Sequence, residues 1–255
     1  MKMCLGAQMF TVRNYTKTLE DYRFVMKRLG EIGYKTCQMS GFNTEVITPE
    51  IIREESEKNN IKVVLTHTNP QRVLNETDAM IAEHSVFHCD AIGIGGMPGT
   101  RDYDGIMKFA EDFAPVIEKI KKAGKVFLYH NHRWEFERFN GKYVLEWIME
   151  NTDPEGCKLT FDAYWATAAG IDAAAFIRKY GDRIFCTHFK DMAVKEDKVV
   201  MTELLTGNMN YDAIMAACAE KGIHDLFVEQ DNVYMDSIES MKISHDNMKA
   251  RYDLD

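Results

Sequence analysis

Short apolar segments alternate with longer amphipathic segments along the whole chain. The short segments are typical of buried strands, and the long ones place apolar residues at helical spacing. We predict eight strands, at 4–10, 35–39, 61–66, 91–95, 126–131, 157–161, 183–187 and 226–228. We predict eight helices, the first capped by Thr16 and ended by Gly33, the others near 48–60, 75–88, 103–123, 142–151, 172–180, 211–221 and 235–250.

This alternation limits the fold to the α/β class with parallel strands, because each strand is followed by a helical crossover. Eight such units in 255 residues fit a closed (β/α)8 barrel, with an open doubly wound sheet as the second choice. No linker or shift in composition divides the chain, so we expect one domain over residues 1–255. Pro115 is expected to break or kink its helix, and 192–210 to form a long loop.

Charge and cysteine content exclude several classes of function. The chain carries 31 lysines and arginines against 40 aspartates and glutamates, a net charge of −9, which argues against binding to nucleic acid or to an anionic membrane. The six cysteines are scattered without a C-x-x-C pair, which disfavours zinc clusters and disulfides and indicates a reducing compartment. With no signal segment or stretch of membrane-spanning length evident, we expect a cytoplasmic protein.

Ionisable side chains stand at the carboxyl ends of several predicted strands. In a (β/α)8 barrel all these ends lie on one face, where active sites form. Residues far apart in sequence are therefore expected to meet over one mouth. The residues concerned are His67 after strand three, His130, His132 and Glu135 after strand five, Asp162 after strand six, His188 after strand seven and Glu229 after strand eight.

Carboxylates and imidazole together form a donor set that suits Mn²⁺, Mg²⁺, Co²⁺ or Zn²⁺. Each residue also has a simpler explanation: Asp162 as a helix cap, His67 as a hydrogen-bonded loop residue, Glu229 as a solvated carboxylate. Their coincidence at successive strand ends favours one shared metal site. Trp134 and Trp165 flank the mouth and could stack on a sugar, or could simply pack on the barrel.

The glycine-rich segment 93–99 does not match a dinucleotide-binding loop, because Pro98 stands where the third glycine belongs. We interpret it as an ordinary loop between a strand and a helix. With no phosphate cradle evident, an unphosphorylated substrate is favoured.

Four segments together resemble the xylose-isomerase-like TIM-barrel superfamily, in its sugar isomerase/epimerase branch. They are 129–136 (YHNHRWEF), 161–165 (FDAYW), 183–191 (RIFCTHFKD) and 228–231 (VEQD). The resemblance covers nearly the whole chain. It implies a metal held by strands five to eight, here Glu135, Asp162, His188 and Glu229.

This chain departs from the family pattern at two places. Many members carry a glutamate where this chain has His130, so either Glu135 or one of His130 and His132 is the strand-five ligand, and we favour Glu135. Segment 204–208 (LLTGN) replaces a Gly-Glu-Gly turn, which alters substrate contacts expected from that loop.

The resemblance implies a sugar isomerase or epimerase that acts on a ketose or keto-sugar through a metal-stabilised enediolate. Glu229 is one candidate proton carrier, and Glu135, His130 or His132 supplies the other. Lys190 could neutralise the enediolate or form an ion pair with Asp191.

Three other functions stay open. The same site could dehydrate keto-inositols or cleave 3-keto-glycosides by elimination. An apurinic-site endonuclease is disfavoured by the acidic charge and by the small ligand set. A metal-binding subunit without catalysis is the third. By analogy with related barrels, homo-oligomers could form through the outer helices.

Overall fold

Eight parallel strands close into a barrel in the computed structural model, which describes residues 2–255. Each strand pairs with its neighbours in the chain, and the first pairs with both the second and the last, which closes the ring. The predicted (β/α)8 barrel is confirmed. We number the barrel strands β1 Cys4–Gln8, β2 Thr36–Met39, β3 Lys62–Thr68, β4 Ala91–Ile94, β5 Val126–His130, β6 Cys157–Asp162, β7 Ile184–Phe189 and β8 Asp225–Val228.

Ten α-helices are present in residues 2–255, two more than predicted. The predicted helix at 75–88 corresponds to Thr77–Val86. The two additional helices are short: Pro70–Asn75 precedes that helix, and Ala163–Ala168 precedes the one predicted at 172–180. The helices are α1 Leu19–Ile32, α2 Pro49–Asn59, α3 Pro70–Asn75, α4 Thr77–Val86, α5 Tyr103–Lys122, α6 Val144–Glu150, α7 Ala163–Ala168, α8 Ala173–Tyr180, α9 Tyr211–Lys221 and α10 Ser237–Arg251. Within this range no helix has the length and apolar character needed to cross a membrane.

The structure differs from two local predictions about helices. The cap of α1 is Thr18, whose hydroxyl accepts a hydrogen bond from Asp21 N at 3.1 Å, while Thr16 follows a short 3₁₀ helix, Arg13–Tyr15. Helix α5 also continues through Pro115 instead of breaking there. Its buried apolar face spans both sides of the proline, so packing retains the helix despite the lost backbone hydrogen bond.

The segment predicted as a long loop after β7 contains a two-stranded antiparallel hairpin, Asp191–Lys195 with Lys198–Thr202. Asp191 is fully buried and anchors the backbone of this connection. Its carboxylate accepts backbone hydrogen bonds from Met192, Leu205, Gly207 and Met209 at 2.7–3.1 Å. A single side chain therefore fixes the connection beside the barrel mouth.

Two apolar cores hold the barrel together. The large one lies between strands and helices, and a small one fills the barrel interior with Leu65, Ala91, Leu128, Cys186 and Phe227. Gly6 on β1 makes room for this filling, because a Cβ atom there would lie 2.5 Å from the Phe227 ring. The six cysteines are all free, which confirms the prediction that disulfides are disfavoured, and all six are buried.

Candidate metal centre

Four side chains from consecutive barrel strands meet at the carboxyl end of the barrel. They are His130 at the end of β5, Asp162 at the end of β6, His188 on β7 and Glu229 just after β8. One donor atom from each lies within 4.8 Å of the other three, and all four residues are buried. Parallel register produces this meeting, since Asp162 pairs with His188 across β6 and β7. The cluster could hold a metal ion.

His188 is held with one nitrogen toward the other cluster members. Its Nε2 lies 2.6 Å from Gln38 Oε1 on β2, so this nitrogen is the donor. Its Nδ1 is buried without a hydrogen bond and lies 2.9 Å from Glu229 Oε2 and 3.8 Å from Asp162 Oδ2. In the neutral ring a lone pair therefore faces two carboxylate oxygens, an arrangement that a bound cation would stabilise.

Asp162 combines two roles that appeared as alternatives in the sequence. Its Oδ1 accepts a hydrogen bond from Trp165 N at 2.8 Å and caps α7, while Oδ2 lies 3.4 Å from His130 Nε2. Asn131 fixes the backbone here, because its side chain bonds both Asp162 N and Asp162 O. One oxygen of Asp162 is thus left for the cluster.

Lys190 brings a buried ammonium into the same place. Its Nζ lies 2.9 Å from Asp162 Oδ2, 2.6 Å from Glu229 Oε2 and 2.7 Å from Asp231 Oδ2. Burial opposes the charged form of the lysine, but these carboxylates raise its pKa. Burial likewise opposes ionisation of Asp162 and Glu229, yet Lys190 and the nearby histidines hold both pKa values below their usual range. Three carboxylates against one ammonium leave a formal excess of two negative charges, which fits a divalent cation.

Glu229 is oriented by Gln8 on β1. Gln8 Nε2 donates to Glu229 Oε1 at 2.9 Å, and Gln8 Oε1 accepts from Phe10 N at 2.7 Å. Glu229 Oε2 faces Lys190 and His188. The two oxygens of this carboxylate therefore have different surroundings.

Glu135, which we favoured as the strand-five ligand, lies outside the cluster, and His130 occupies that position. Glu135 belongs to a 3₁₀ turn, Trp134–Phe136, where its carboxylate accepts hydrogen bonds from Tyr129 Oη at 3.0 Å and His132 N at 2.8 Å. Burial raises its pKa to about 7. Glu135 thus holds the loop that carries His132.

A cavity of about 290 Å³ opens above the cluster. His67, His130, His132, Glu229 and Asp231 all reach it. The ring of His67 lies 4.9 Å from that of His130 and 5.4 Å from that of His188, and its Nε2 is buried without a partner. Burial lowers the pKa of His67 well below its usual range and that of His132 to about 4, so both rings are neutral near pH 7.

The two tryptophans proposed as sugar contacts do not line this cavity. Trp134 packs under the Arg101 guanidinium, 5.1 Å from its ring, and Trp165 lies beside His132 and Lys190. Among residues 2–255, these rings contact Arg101, His132 and Lys190. A direct role of either tryptophan in binding sugar stays a prediction.

Sequence reasoning missed four residues of the site: Gln8, Gln38, Asn131 and Asp231. Asn131 and Asp231 stand beside residues that were singled out, within the His-Asn-His and Glu-Gln-Asp segments. The two glutamines have no such signal except their position at the carboxyl ends of apolar strands. Their importance follows from ring closure, which pairs β1 with β8 and leaves β2 one strand away from β8.

The closed ring of strands and the four-residue cluster at its carboxyl end define a (β/α)8 barrel with a candidate metal centre. A family model described as xylose isomerase-like TIM barrel matches residues 26–243, and the chain belongs to that family. No curated protein matches the chain.

Three solved structures share the fold over nearly the whole chain. A sugar phosphate isomerase/epimerase from Parabacteroides distasonis is 22% identical with a TM-score of 0.81, covering 98% of this chain and 95% of its own. A probable 3-DHS dehydratase, AsbF, from Bacillus anthracis is 13% identical with a TM-score of 0.78, covering 98% and 100%. An L-ribulose 3-epimerase is 14% identical with a TM-score of 0.76, covering 98% and 94%.

Proposed function

We propose that this protein is a divalent-metal-dependent isomerase or epimerase of a ketose or keto-sugar. The observation that carries the proposal is the meeting of His130, Asp162, His188 and Glu229 within 4.8 Å at the mouth of the barrel. Membership of the xylose isomerase-like family and the overall likeness to an L-ribulose 3-epimerase support this reaction class.

The four cluster residues would hold the metal, with Mn²⁺ as our first choice. Two imidazoles and two carboxylates suit Mn²⁺, Co²⁺ or Zn²⁺ better than Mg²⁺, which prefers oxygen ligands throughout. Bound there, the ion would polarise the substrate carbonyl and stabilise the negative charge that develops on its oxygen.

Glu229 and His132 are the proton carriers in this proposal. Gln8 donates a hydrogen bond to Glu229 Oε1, while Glu229 Oε2 faces His188. Oε2 could therefore bind the metal while Oε1 accepts a proton. His132 lines the same cavity, and its ring lies 4.6 Å from that of His130 and 6.1 Å from that of Trp165. Glu229 takes the proton next to the carbonyl. The neutral His132 relays a proton from solvent to the other face or the neighbouring carbon: one ring nitrogen gives up its proton as the other takes one from water, and Glu229 later releases its proton to solvent.

The residues of the mouth favour an unphosphorylated sugar. Among the described residues that line the cavity, Glu229 and Asp231 are the charged ones apart from histidine, and no lysine or arginine reaches the lumen. Lys190 lies beneath them, fully buried and bonded to three carboxylates. Apart from the proposed metal ion, a phosphate dianion would meet negative charge without a cationic side chain to pair with.

Elimination is the second candidate, favoured by the overall likeness to a probable dehydratase. It would begin with the same proton removal by Glu229. A hydroxyl or glycosyl oxygen β to the carbonyl would then leave, protonated by a solvent proton that the neutral His132 relays from one ring nitrogen to the other.

Solvent exchange tests both candidates. Metal-stripped and Mn²⁺-reloaded protein would be incubated in D₂O with ketoses such as ribulose, fructose and tagatose. We expect metal-dependent deuterium uptake next to the carbonyl and formation of an epimer or isomer of unchanged mass. His132→Ala and Glu229→Gln should each slow exchange by about 10²–10⁴-fold. His224→Ala, before β8 at the opposite end of the barrel, is the matched histidine control and should leave the rate unchanged.

The products separate the outcomes. Loss of water or of a leaving group without any epimer would replace isomerisation by elimination. Absence of exchange on every keto-sugar, with metal bound, would overturn both enzymatic proposals.

A further inference from the structure

A second and larger cavity adjoins the mouth. Its volume is about 660 Å³, and it lies between the segment that joins β2 to α2 and the helices α3 and α4. His67, Thr68 and Asn69 line both cavities, so the two adjoin at the end of β3. The mouth alone, at about 290 Å³, is slightly smaller than the usual range of ligand sites, which is about 300–1,000 Å³.

The walls of this side cavity combine an apolar floor with a polar rim. Buried apolar side chains form the floor, among them Ile47, Ile52, Met80 and Phe87. Hydroxyl and amide side chains form the rim, namely Thr44, Asn69, Gln71 and Asn75. Such a surface suits a sugar ring or a similar group, which has apolar C–H faces and hydroxyl edges.

The charged residues of the side cavity compensate one another. Arg72 Nε lies 3.0 Å from Glu76 Oε2, and Arg72 Nη1 lies 3.1 Å from Glu83 Oε2. One cation is thus paired with two carboxylates, and no unpaired cation faces the cavity within the described residues. This arrangement disfavours a phosphate or carboxylate on the ligand.

The buried histidine of the side cavity supports its wall. His84 Nε2 lies 2.8 Å from Thr66 Oγ1, its Nδ1 lies 2.7 Å from Met80 O, and Thr66 Oγ1 in turn lies 2.9 Å from Thr68 Oγ1. Both ring nitrogens are in use, so His84 fixes the threonine pair at the junction of the two cavities. The polar atom left without a partner at this junction is His67 Nε2, which is buried.

We infer that the side cavity is a subsite for a neutral second ring, so that the substrate is a keto-sugar joined to another uncharged group. The keto ring would occupy the mouth above the metal cluster, and the attached ring would lie past His67 and Thr68 on the apolar floor. This inference rests on the proposed function for the identity of the reacting ring. The side cavity itself is defined by the residues that line it, whichever reaction takes place in the mouth.

The test compares two probes that differ only in the second ring, 3-ketoglucose and the 3-keto form of cellobiose. Binding to the Mn²⁺-loaded protein is measured by calorimetry, and deuterium exchange is followed separately. We expect the keto-disaccharide to bind about tenfold or more tightly than the keto-monosaccharide. Thr44→Trp should fill the rim of the side cavity and remove that advantage, leaving the keto-monosaccharide unaffected.

Ala82→Trp is the matched control, because Ala82 is exposed on α4 and does not line the cavity. It should retain the wild-type preference. Equal affinities for the two probes in the wild type, or an undiminished preference in Thr44→Trp, would overturn the inference. A preference that Thr44→Trp removes, without deuterium exchange on either probe, would uphold the subsite and reject the proposed reaction. Exchange on both probes, with equal affinities for the two, would reject the subsite and uphold the proposed reaction.

Discussion

Gln38 Oε1 lies 2.6 Å from His188 Nε2 at the carboxyl end of the barrel. The two residues belong to β2 and β7, strands that are separated in the ring by β1 and β8. The contact makes Nε2 the donor and leaves His188 Nδ1 facing Glu229 and Asp162. Gln38 is therefore a positioning residue for the metal centre, although it lies 150 residues from His188 in sequence.

Replacing this glutamine should weaken metal binding. In Gln38→Leu the imidazole loses the partner that fixes its tautomer, and we expect Mn²⁺ affinity to fall about 10–100-fold. Calorimetric titration of the stripped protein measures this. Gln71→Leu, on the exposed face of α3, is the matched control and should titrate like the wild type. Unchanged affinity in Gln38→Leu would reject the role of Gln38.

Metal retention should distinguish the two candidates for the strand-five ligand. We expect His130→Ala to lose most of its metal, because it removes a member of the cluster. Glu135→Gln should keep a full equivalent, because Glu135 bonds Tyr129 and His132 instead. Elemental analysis after gel filtration measures both. The opposite pattern would return Glu135 to the ligand set.

Glu135 should also make stability depend on pH. Its pKa is raised from 4.5 to about 7 in the folded protein, so the folded state holds a proton that the unfolded state releases first. The stabilising contribution of Glu135 to the folded state is greatest below pH 4.5. It is lost as pH rises through 7, so the free energy of unfolding falls by about 3 kcal/mol in total. Urea unfolding of metal-free wild type and Glu135→Gln across this range checks the prediction. The difference in free energy of unfolding should change with pH, and a constant difference would contradict it.

Removing Lys190 should destabilise the metal-free protein severely. Lys190→Met leaves Asp162, Glu229 and Asp231 without their cation, at a cost of about 3–5 kcal/mol. Added Mn²⁺ should restore more stability to the variant than to the wild type. Thermal unfolding with EDTA and with Mn²⁺ measures both effects. Equal unfolding temperatures of variant and wild type in EDTA would show that the ammonium contributes nothing.

Asp191 should control the hairpin after β7. In the wild type both carboxylate oxygens of Asp191 accept hydrogen bonds from backbone N–H groups. Asp191→Asn replaces one of these oxygens by an amide NH₂ group, which cannot accept them. We expect the free energy of unfolding to fall by about 1–3 kcal/mol. Trypsin should then cut faster after Lys195 or Lys198 at the hairpin tip. Asp182→Asn, at a site exposed beyond the other end of the barrel, is the control. Equal cleavage rates in the two variants would contradict the anchoring role.

The sequence alone determined the barrel because its signals are local. Each strand and helix is indicated by the pattern of apolar residues within its own segment. Eight alternating strands and helices then leave few arrangements in which helices cover a parallel sheet. The same reasoning placed Asp162, His188 and Glu229 together, since each follows its strand directly. Alternation along β5 could also have indicated His130, which lies two residues after the interior residue Leu128 and so on the same face.

Only the tertiary structure decided the rest of the site. Glu135 is turned away by a 3₁₀ turn whose geometry depends on Tyr129, and Gln8 and Gln38 reach the cluster only because the ring closes between β1 and β8. The side cavity likewise depends on how α3 and α4 pack beside β3. Local sequence patterns encode which segments form strands, but the partners of a buried side chain are set by contacts between segments far apart in the chain.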